Sequence, residues 1–286
     1  MNGDIMKQIL DQSFDAERAL YELKDALVEN CRFEGPADGE SAMKETKGLT
    51  VRGCFFDLRY PLWHTTGTAL ENCDMTANCR AALWYDRDVS ITNCRLHGIK
   101  ALRECEDCRV EDSSVISPEF GWKSRGISLK NTSVEGEYPF LDSRDLTLEN
   151  VRLKGKYSFQ YVENMTITDS MLDTKDAFWH TKNVTVKDSV IKGEYLGWYS
   201  ENLTLIRCKI IGTQPLCYCK NLVLEDCETE GCDLSFERST VRAALLNPIV
   251  SVKNPLSGRI CAPAIGEIIL DEGFAEGDNR CEIIVG

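Results

Sequence analysis

The sequence predicts an all-β protein, a right-handed parallel β-helix (a solenoid) of about eleven rungs. Similar segments recur every 19 residues along most of the chain. Within each repeat, apolar and polar residues alternate over several positions, which is the pattern of a short strand with one buried face. Glycine recurs later in the repeat, where a tight turn is expected. Parallel strands joined by crossovers take the right hand, so we expect that hand here.

In most rungs the first residue precedes an apolar–polar–apolar triplet. The clearest rung starts lie 19 residues apart: Asp145, Asn164, Asn183 and Asn202. The same interval predicts four more starts: Asp88, Asp107, Gly126 and Asn221. Rungs of 23, 19 and 21 residues precede Asp88 and add three starts: Asp25, Gly48 and Gly67. A fixed period without helical segments is typical of a solenoid in which every rung adds one strand to each sheet.

Positions are numbered from the rung start. Positions 2, 4 and 9 are apolar and position 7 is small in most rungs, so we expect these four to point inward in every rung from Asp88 to Ser239. Position 6 is mostly Asn or Asp, which predicts a hydrogen-bonded ladder from rung to rung. Position 11 is mostly Gly, which indicates a turn with φ > 0. The main alternative, a leucine-rich repeat, has a longer unit and a leading Leu that is missing here.

The two ends of the chain depart from the period. Solenoid ends need caps, because an open rung leaves unpaired strand edges. Residues 5–24 contain spaced apolar side chains, among them Ile5, Ile9 and Phe14, and predict a capping helix or turn. Residues 240–286 contain three prolines and predict irregular rungs. Since no linker divides the chain, we expect a single domain over residues 1–286, with caps at 1–24 and 240–286 around rungs at 25–239.

The composition excludes several classes of partner. Lys and Arg number 33 against 46 Asp and Glu, which gives a formal net charge of −13. A chain this acidic repels phosphate backbones and anionic lipids, so we expect neither a nucleic-acid partner nor membrane association. No apolar run approaches the roughly 20 residues of a membrane span. The N-terminal sequence has neither the basic nor the apolar region of a signal peptide, and we therefore expect a cytoplasmic protein.

Fourteen cysteines occur in the chain. Disulfide frameworks are typical of short secreted chains, so we expect reduced thiols that fill small inward sites. Cys105 and Cys108 form a C-x-x-C pair, but a zinc site needs four converging ligands, and packing is the favoured interpretation. His64 and His180 share a column six rungs apart and form no cluster. The sequence therefore predicts no metal site and no cofactor.

Several motifs lie in register in different rungs: FDAERALY, RYPLWH, ALWYDR, EFGW, GKYSFQY, TKDAFWH, GEYLGWYS and GTQPLCY. Together they resemble a widespread microbial family, domain of unknown function 3737, among the pectin-lyase-like β-helices. The resemblance covers nearly the whole chain and implies the β-helix fold, but no activity, because the family has none established. The sequence motifs of polygalacturonases and pectate lyases are absent, so similarity of fold alone says little about function.

Because rungs differ in length, positions 16–19 are counted back from the last residue of the rung, which is position 19. All five tryptophans then occupy position 16: Trp63, Trp84, Trp122, Trp179 and Trp198. Position 17 is rich in ionisable side chains and must face solvent. Alternation then turns position 16 inward, as core. Arg103 and Gln160, which also occupy position 16, favour the alternative, an exposed platform on which sugars stack. The periodicity leaves both open.

Position 17 contains the candidate catalytic residues. Glu104, Lys123 and Asp142 lie on consecutive rungs, and strand spacing puts the two carboxylates about 9.6 Å apart, near the upper limit for an inverting pair. Lys123 between them is expected to lower the pKa of both. The candidate substrate-binding residues occupy positions 16, 17 and 19: Tyr85, Arg125, Arg144, Tyr161, Trp179, His180 and Tyr199. The alternative is a ladder of alternating charges that only stabilises neighbouring strands.

Two functions are compatible with these columns. The first is carbohydrate binding or processing along the face formed by positions 16 and 17, since aromatic side chains interleaved with carboxylates suit sugars. An enzyme of this kind would act as a glycoside hydrolase or lyase. The second is a non-catalytic scaffold that binds a protein partner on a flat sheet face. The missing enzyme motifs favour the scaffold, whereas the concentration of Trp, Tyr, His and acidic side chains favours an oligosaccharide ligand.

Overall fold

The backbone consists of parallel strands and turns. The computed structural model describes residues 7–274 and 280–286, and these residues contain no helix. The chain divides into two compact units, Met1–Glu137 and Tyr138–Gly286. In each unit, every rung places its strands beside those of the next rung in parallel register. The predicted all-β parallel solenoid is confirmed, while the single domain over residues 1–286 stays a prediction.

The first unit contains three sheets. The strands of its first sheet are Lys7–Leu10, Lys24–Glu29, Lys47–Arg52, Thr66–Glu71, Arg87–Thr92, Glu106–Glu111 and Arg125–Lys130. Those of its second sheet are Ser13–Phe14, Arg32–Phe33, Phe55–Phe56, Asp74–Met75, Arg95–His97, Ser114–Ile116 and Ser133–Glu137. A short third sheet consists of Leu62–Trp63, Leu83–Trp84 and Leu102–Arg103, and a bridge joins Arg103 to Trp122. The third sheet holds the position-16 column of this unit.

The second unit repeats this plan in its first two sheets. Its first-sheet strands are Arg144–Glu149, Glu163–Thr168, Lys182–Lys187, Glu201–Ile206, Leu222–Glu230, Thr240–Leu245, Ser257–Ala262 and Arg280–Val285. Its second-sheet strands are Arg152–Lys156, Met171–Lys175, Val190–Lys192 and Lys209–Ile211. The long strand Leu222–Glu230 pairs with both sheets. Ile249–Lys253 and Ile265–Ile269 form a separate parallel pair.

The predicted rung starts match the first-sheet strands. Ten of the eleven are the second residue of such a strand, and the eleventh, Asn221, directly precedes Leu222. The count of eleven rungs is too low, because the described residues make about 14 turns. The extra turns lie before Asp25 and after Ser239, where first-sheet strands begin at Thr240, Ser257 and Arg280. The first rung keeps the 19-residue interval, since Lys7 pairs with Ala26. The last two intervals depart from it, at 17 residues from Thr240 to Ser257 and 23 from Ser257 to Arg280.

The prediction of a capping helix or turn over residues 5–24 is wrong for the first half of this segment, which forms strands. Lys7–Leu10 and Ser13–Phe14 are strands that pair with the next rung, and turns follow only after them. Ile9 is buried, and the ring of Phe14 stacks on that of Phe33 at 5.1 Å. The apolar spacing belongs to the inward face of an additional rung. Ile5 and the other residues of 1–6 lie outside the described residues, as do residues 275–279 of the C-terminal cap.

The inward positions are those that the sequence predicts. Every side chain at positions 2, 4, 7 and 9 of the rungs from Asp88 to Ser239 is buried, and the most exposed, Ser113 and Thr229, reach only 6%. All fourteen cysteines are free and twelve of them are buried. On consecutive rungs, four occupy position 7: Cys31, Cys54, Cys73 and Cys94. Cys105 and Cys108 are fully buried, in agreement with a packing role.

Two corners of each rung are formed by residues with a left-handed backbone conformation. Positions 1 and 6 have φ between 46° and 67° in all eleven predicted rungs, a conformation that Gly, Asn and Asp tolerate best. The side-chain ladder predicted at position 6 occurs between Asn131 and Asp112, with an N–O distance of 3.0 Å. A longer ladder, which the sequence did not predict, runs along position 1 of the second unit. There each Asn amide from Asn164 to Asn221 donates to the residue one rung back, at 2.8–3.1 Å.

Glycine at position 11 is required by the close approach of two backbones. A Cβ atom on Gly136 would lie 2.2 Å from the carbonyl oxygen of Ser117, although Gly136 does not adopt the left-handed φ that the sequence predicts. Gly212 has φ of +131°, and a Cβ there would lie 1.9 Å from the carbonyl oxygen of Gly193. A side chain at either of these two glycines would therefore push the neighbouring rungs apart.

Removing one ring from the aromatic core should destabilise the second unit. Phe140, Phe159 and Phe178 stack at 5.6 Å and 5.2 Å between ring centroids, and all three are buried. We expect Phe159→Ala to lower the free energy of unfolding by about 3–5 kcal/mol, because it removes buried surface and leaves a cavity between two rings. Urea denaturation followed by circular dichroism measures the change. The exposed Thr166→Ala should change it by less than about 0.5 kcal/mol, and equal effects would contradict this account of the core.

Thiol titration tests the packing of the cysteines. Under denaturing, non-reducing conditions we expect Ellman's reagent to detect all fourteen thiols. In the folded protein, Cys261 and Cys281 should react first, because the other twelve are buried. A denatured count of nine or fewer would contradict the free thiols of the structure.

Candidate functional site

Positions 16 and 17 form a third corner of the rung. The position-17 residues have φ between 50° and 60° from His64 to Tyr218. This left-handed residue interrupts the strand alternation, so positions 16 and 17 both turn outward while positions 15 and 18 point inward. One rung shows the pattern: Phe178 and Thr181 are buried, Trp179 is half-buried and His180 is exposed. The alternation that favoured an inward Trp column therefore does not apply at this corner.

The position-16 column is a stack of half-buried indoles, and in the first unit both ring faces of Trp63 and Trp84 are covered. In the first unit, the indoles of Trp63 and Trp84 lie 5.5 Å apart, Lys44 Nζ is 4.4 Å from the Trp63 ring, and the Arg103 guanidinium lies 5.2 Å from that of Trp84. In the second unit, Trp179 and Trp198 stack at 5.5 Å. All five indoles are half-buried, so the column is neither core nor an open stacking platform.

The position-17 column of the first unit begins earlier than the sequence analysis recognised. Counting back from His64 by rungs of 19 and 23 residues places Glu45 and Glu22 at position 17, and both have the left-handed φ of this column. The interval lengths alone predict both positions, although Glu22 falls in the predicted N-terminal cap. His64 stacks on Tyr85 at 4.9 Å, and the phenol hydroxyl of Tyr21 donates to Glu45 at 3.2 Å.

Glu104 is held by an arginine of its own rung. Arg103 Nε donates to Glu104 Oε1 at 3.0 Å. Partial burial raises the pKa of Glu104, but the hydrogen bonds from Arg103 and Tyr85 outweigh it and hold that pKa below its usual value. The expectation that Lys123 lowers this pKa is wrong, because Arg103 occupies the carboxylate and Lys123 is exposed one rung on. A charged Glu104 accepts protons or hydrogen bonds and does not act as an acid at neutral pH.

Two grooves lie away from the predicted catalytic residues. One, of about 430 Å³, is lined by the N-terminal part of the position-17 column and its neighbours: Glu22, Lys24, Glu45, Lys47 and His64. The other, of about 670 Å³, lies at the position-6 corner of the second unit, around Asp188, Arg207 and Asp226. Glu104, Lys123 and Asp142 line neither of them.

In the second unit, position 17 is an aromatic row. Tyr161 and Tyr199 are 53% and 45% exposed, and His180 lies between them. Ring centroids along the row from Tyr161 through His180 and Tyr199 to Tyr218 are 5.0, 5.0 and 4.9 Å apart, with interplanar angles of 2°, 7° and 13°. The structure thus brings Tyr161, His180 and Tyr199 together, as the sequence predicts.

The remaining candidates divide between the two units. Glu104, Lys123, Tyr85 and Arg125 belong to the first, and the others to the second: Asp142, Arg144, Tyr161, Trp179, His180 and Tyr199. All are exposed or half-buried. The 9.6 Å separation expected for Glu104 and Asp142 stays a prediction, as does the catalytic assignment.

Asp86 is a buried carboxyl directly behind the position-17 column. It occupies position 18, where the neighbouring rungs have Thr65 and Cys105, and it is fully buried. The Thr65 N–H donates to Asp86 Oδ1 at 2.6 Å, while Oδ2 has no hydrogen-bond partner among the described residues. Burial raises the pKa of Asp86 to about 7, against the lowering effect of its hydrogen bonds.

No group of His, Cys, Asp and Glu side chains in the described part of the chain is placed to hold a metal ion. No helix in the same residues is suited to cross a membrane.

Repeating rungs, inward columns and left-handed corners define a protein of the parallel β-solenoid class. A family model described as protein of unknown function, DUF3737, matches residues 7–284. The chain therefore belongs to this family, and the resemblance of its motifs is confirmed. A search of the curated proteins finds no match.

Several solved structures are similar to the chain at low identity. PfbA, a surface adhesin of Streptococcus pneumoniae, is 9% identical over 77% of this chain and 72% of its own, with a TM-score of 0.42. The tailspike protein of E. coli bacteriophage HK620, solved with a hexasaccharide, is 11% identical over 92% and 60%, with a TM-score of 0.39. The A-module of the Azotobacter vinelandii mannuronan C-5 epimerase AlgE6 is 10% identical over 97% and 88%, with a TM-score of 0.37. Similarities at this level carry no information about ligand or activity.

The buried Asp86 should make stability depend on pH. Its pKa is about 7 in the folded chain and about 4 when unfolded. Between these values the folded chain holds a proton that the unfolded chain has released, so the free energy of unfolding falls as pH rises through this window. We expect Asp86→Asn to be more stable than the native chain above pH 7, by roughly 4 kcal/mol at most, and the difference to vanish near pH 4.

Urea denaturation at pH 4.5, 6 and 8 measures this difference. The matched control is Asp88→Asn, since Asp88 is exposed two residues away. Parallel pH profiles for the native chain and Asp86→Asn would show that Asp86 is charged in the folded state.

Proposed function

We propose that the protein binds carbohydrate along its position-17 column. The observation that carries the proposal is the exposed aromatic row of the second unit, where Tyr161 and Tyr199 leave about half of each side chain in solvent. Inward positions already supply a continuous core, so the fold does not require large amphipathic rings here. Phenol hydroxyls and imidazole nitrogens are donors and acceptors that match sugar hydroxyl groups.

Within this proposal we assign the chemistry to the predicted residues Glu104, Lys123 and Asp142. Glu104 serves as general base toward water, a role supported by its lowered pKa and by the hydrogen bonds that hold its carboxylate. Asp142 is the second carboxylate of the pair, and Lys123 orients the substrate. Arg125 and Arg144 contact the ligand from position 19, and Tyr85 and Trp179 complete the binding face. The reaction would be hydrolysis of a glycosidic bond with inversion.

The alternative function, a non-catalytic scaffold that binds a protein partner, has less support from the first sheet of the second unit. The outward positions 3 and 5 of its first sheet display no exposed large hydrophobic side chain among the described residues. Protein interfaces depend on a few buried aromatic or other large anchors, which this face does not offer.

We also propose a cytoplasmic location. Support comes from the free thiols, twelve of them in buried sites without a disulfide partner, since a chain with fourteen cysteines is suited to a reducing compartment.

A glycan array tests the proposed binding. We expect the native chain to bind at least one oligosaccharide and the double variant Tyr161→Ala with Tyr199→Ala to bind it at least tenfold more weakly, because the row loses its rings and hydroxyls. Glu111→Ala, an exposed carboxylate at position 5, is the control and should bind like the native chain. An array without any glycan signal would contradict the proposal.

The same glycan then tests the catalytic assignment. Release of new reducing ends by the native chain and its loss in Glu104→Gln and Asp142→Asn would support an enzyme. Unchanged glycan in the presence of the native chain would leave a binding protein and contradict the catalytic roles.

A further inference from the structure

Inside the aromatic row of the second unit, the ring faces of His180 and Tyr199 are already covered by neighbouring rings. His180 lies between Tyr161 and Tyr199 at 5.0 Å on each side, nearly parallel to both. Tyr199 is covered in turn by His180 and Tyr218. Sugars that bind by stacking need an open ring face. The exposed area of His180 and Tyr199 therefore belongs to their edges and polar tips.

These polar tips repeat once per rung. The ring centroids advance by 4.9–5.0 Å, so the Tyr161 hydroxyl, the His180 imidazole edge and the Tyr199 hydroxyl form a line of hydrogen-bonding groups with the same repeat. A ligand that engages all of them must present partners at that interval along one direction. The residue repeat of an extended 1,4-linked pyranose chain is close to this spacing.

The charge around the row is balanced. Position 19 of these rungs alternates between cations and carboxylates, with Arg144, Lys182 and Lys220 against Glu163 and Glu201. Lys182 Nζ lies 3.4 Å from Glu163 Oε1, and Asp142 adds a third carboxylate at the start of the row. The chain as a whole has a net charge of −13. A polyanionic chain would find no excess of cations here and would be repelled at longer range.

Granting the proposed carbohydrate binding, we infer that the ligand of this row is an uncharged, extended, 1,4-linked glycan that runs parallel to the row and is held by hydrogen bonds from ring edges. The ligand class is that of neutral linear glycans, and they are recognised by ring edges and hydroxyl groups, since the ring faces inside the row are covered.

Isothermal titration calorimetry with three hexasaccharides tests the inference. The neutral probes are cellohexaose and β-1,4-mannohexaose, and the charged probe is hexagalacturonic acid. We expect at least one neutral probe to bind at least tenfold more tightly than the charged one, with an affinity that is the same in 50 mM and 500 mM salt, because no ion pairs are formed.

The decisive variant is Tyr161→Phe with Tyr199→Phe, which keeps both rings in the stack and removes their hydroxyls. We expect it to weaken binding of the neutral probe about tenfold. Tyr157→Phe is the matched control, because Tyr157 stacks on Tyr138 outside position 17, and it should bind like the native chain. Circular dichroism checks that all variants are folded.

Three outcomes overturn the inference. Native affinity in the Tyr→Phe double variant would mean that the hydroxyls do not bind the ligand. Tighter binding of hexagalacturonic acid, or array signals confined to charged or branched glycans, would refute the neutral linear class while the proposed carbohydrate binding stands. Absence of binding to every glycan, on the array and in calorimetry, would refute both.

Discussion

In-register hydrogen bonding between successive rungs is the constraint on which the rest of this structure depends. Each first-sheet strand pairs with the same positions of the next, as Leu146 does with Met165 and Val184 with Leu203. Register therefore places like side chains side by side, so one residue type repeated at one position becomes a physical column. The asparagine ladder, the phenylalanine stack and the row of tyrosines and histidine all arise in this way. A slip by one residue would disrupt them together.

Much of the fold could be predicted because the same pattern of apolar and small side chains recurs in every rung. Apolar side chains at positions 2, 4 and 9 and small ones at position 7 identify the inward face, and the described residues bury all of them. The first rung was not predicted, although it pairs with the next rung at the same 19-residue interval, because its strands are short. Phe14 and Ile9 give an apolar spacing that suits a helix or a strand equally well, and only pairing with the next rung distinguishes the two.

The candidate site was predictable only in part, because the outward corner depends on one backbone angle. Tyr161, His180 and Tyr199 were grouped correctly, since a shared column requires nothing but the period. The orientation of Trp179 was not predictable, because a left-handed residue at His180 interrupts the alternation. The partner of Glu104 was missed as well. The column pattern compares residues one rung apart, such as Glu104 and Lys123, whereas the ion pair of Glu104 forms with the adjacent Arg103.

The equal length of the central rungs has an evolutionary consequence. First-sheet strands begin 19 residues apart from Arg87 to Arg125, and again from Arg144 to Glu201. An in-frame duplication of one such rung would insert a segment whose every side chain already has matching neighbours before and after it. Selection could then lengthen or shorten the aromatic row by copying or deleting the gene segment of one rung, without redesigning the core. The number of rungs would thus be an inherited trait that sets how many residues of the proposed glycan the row contacts at once.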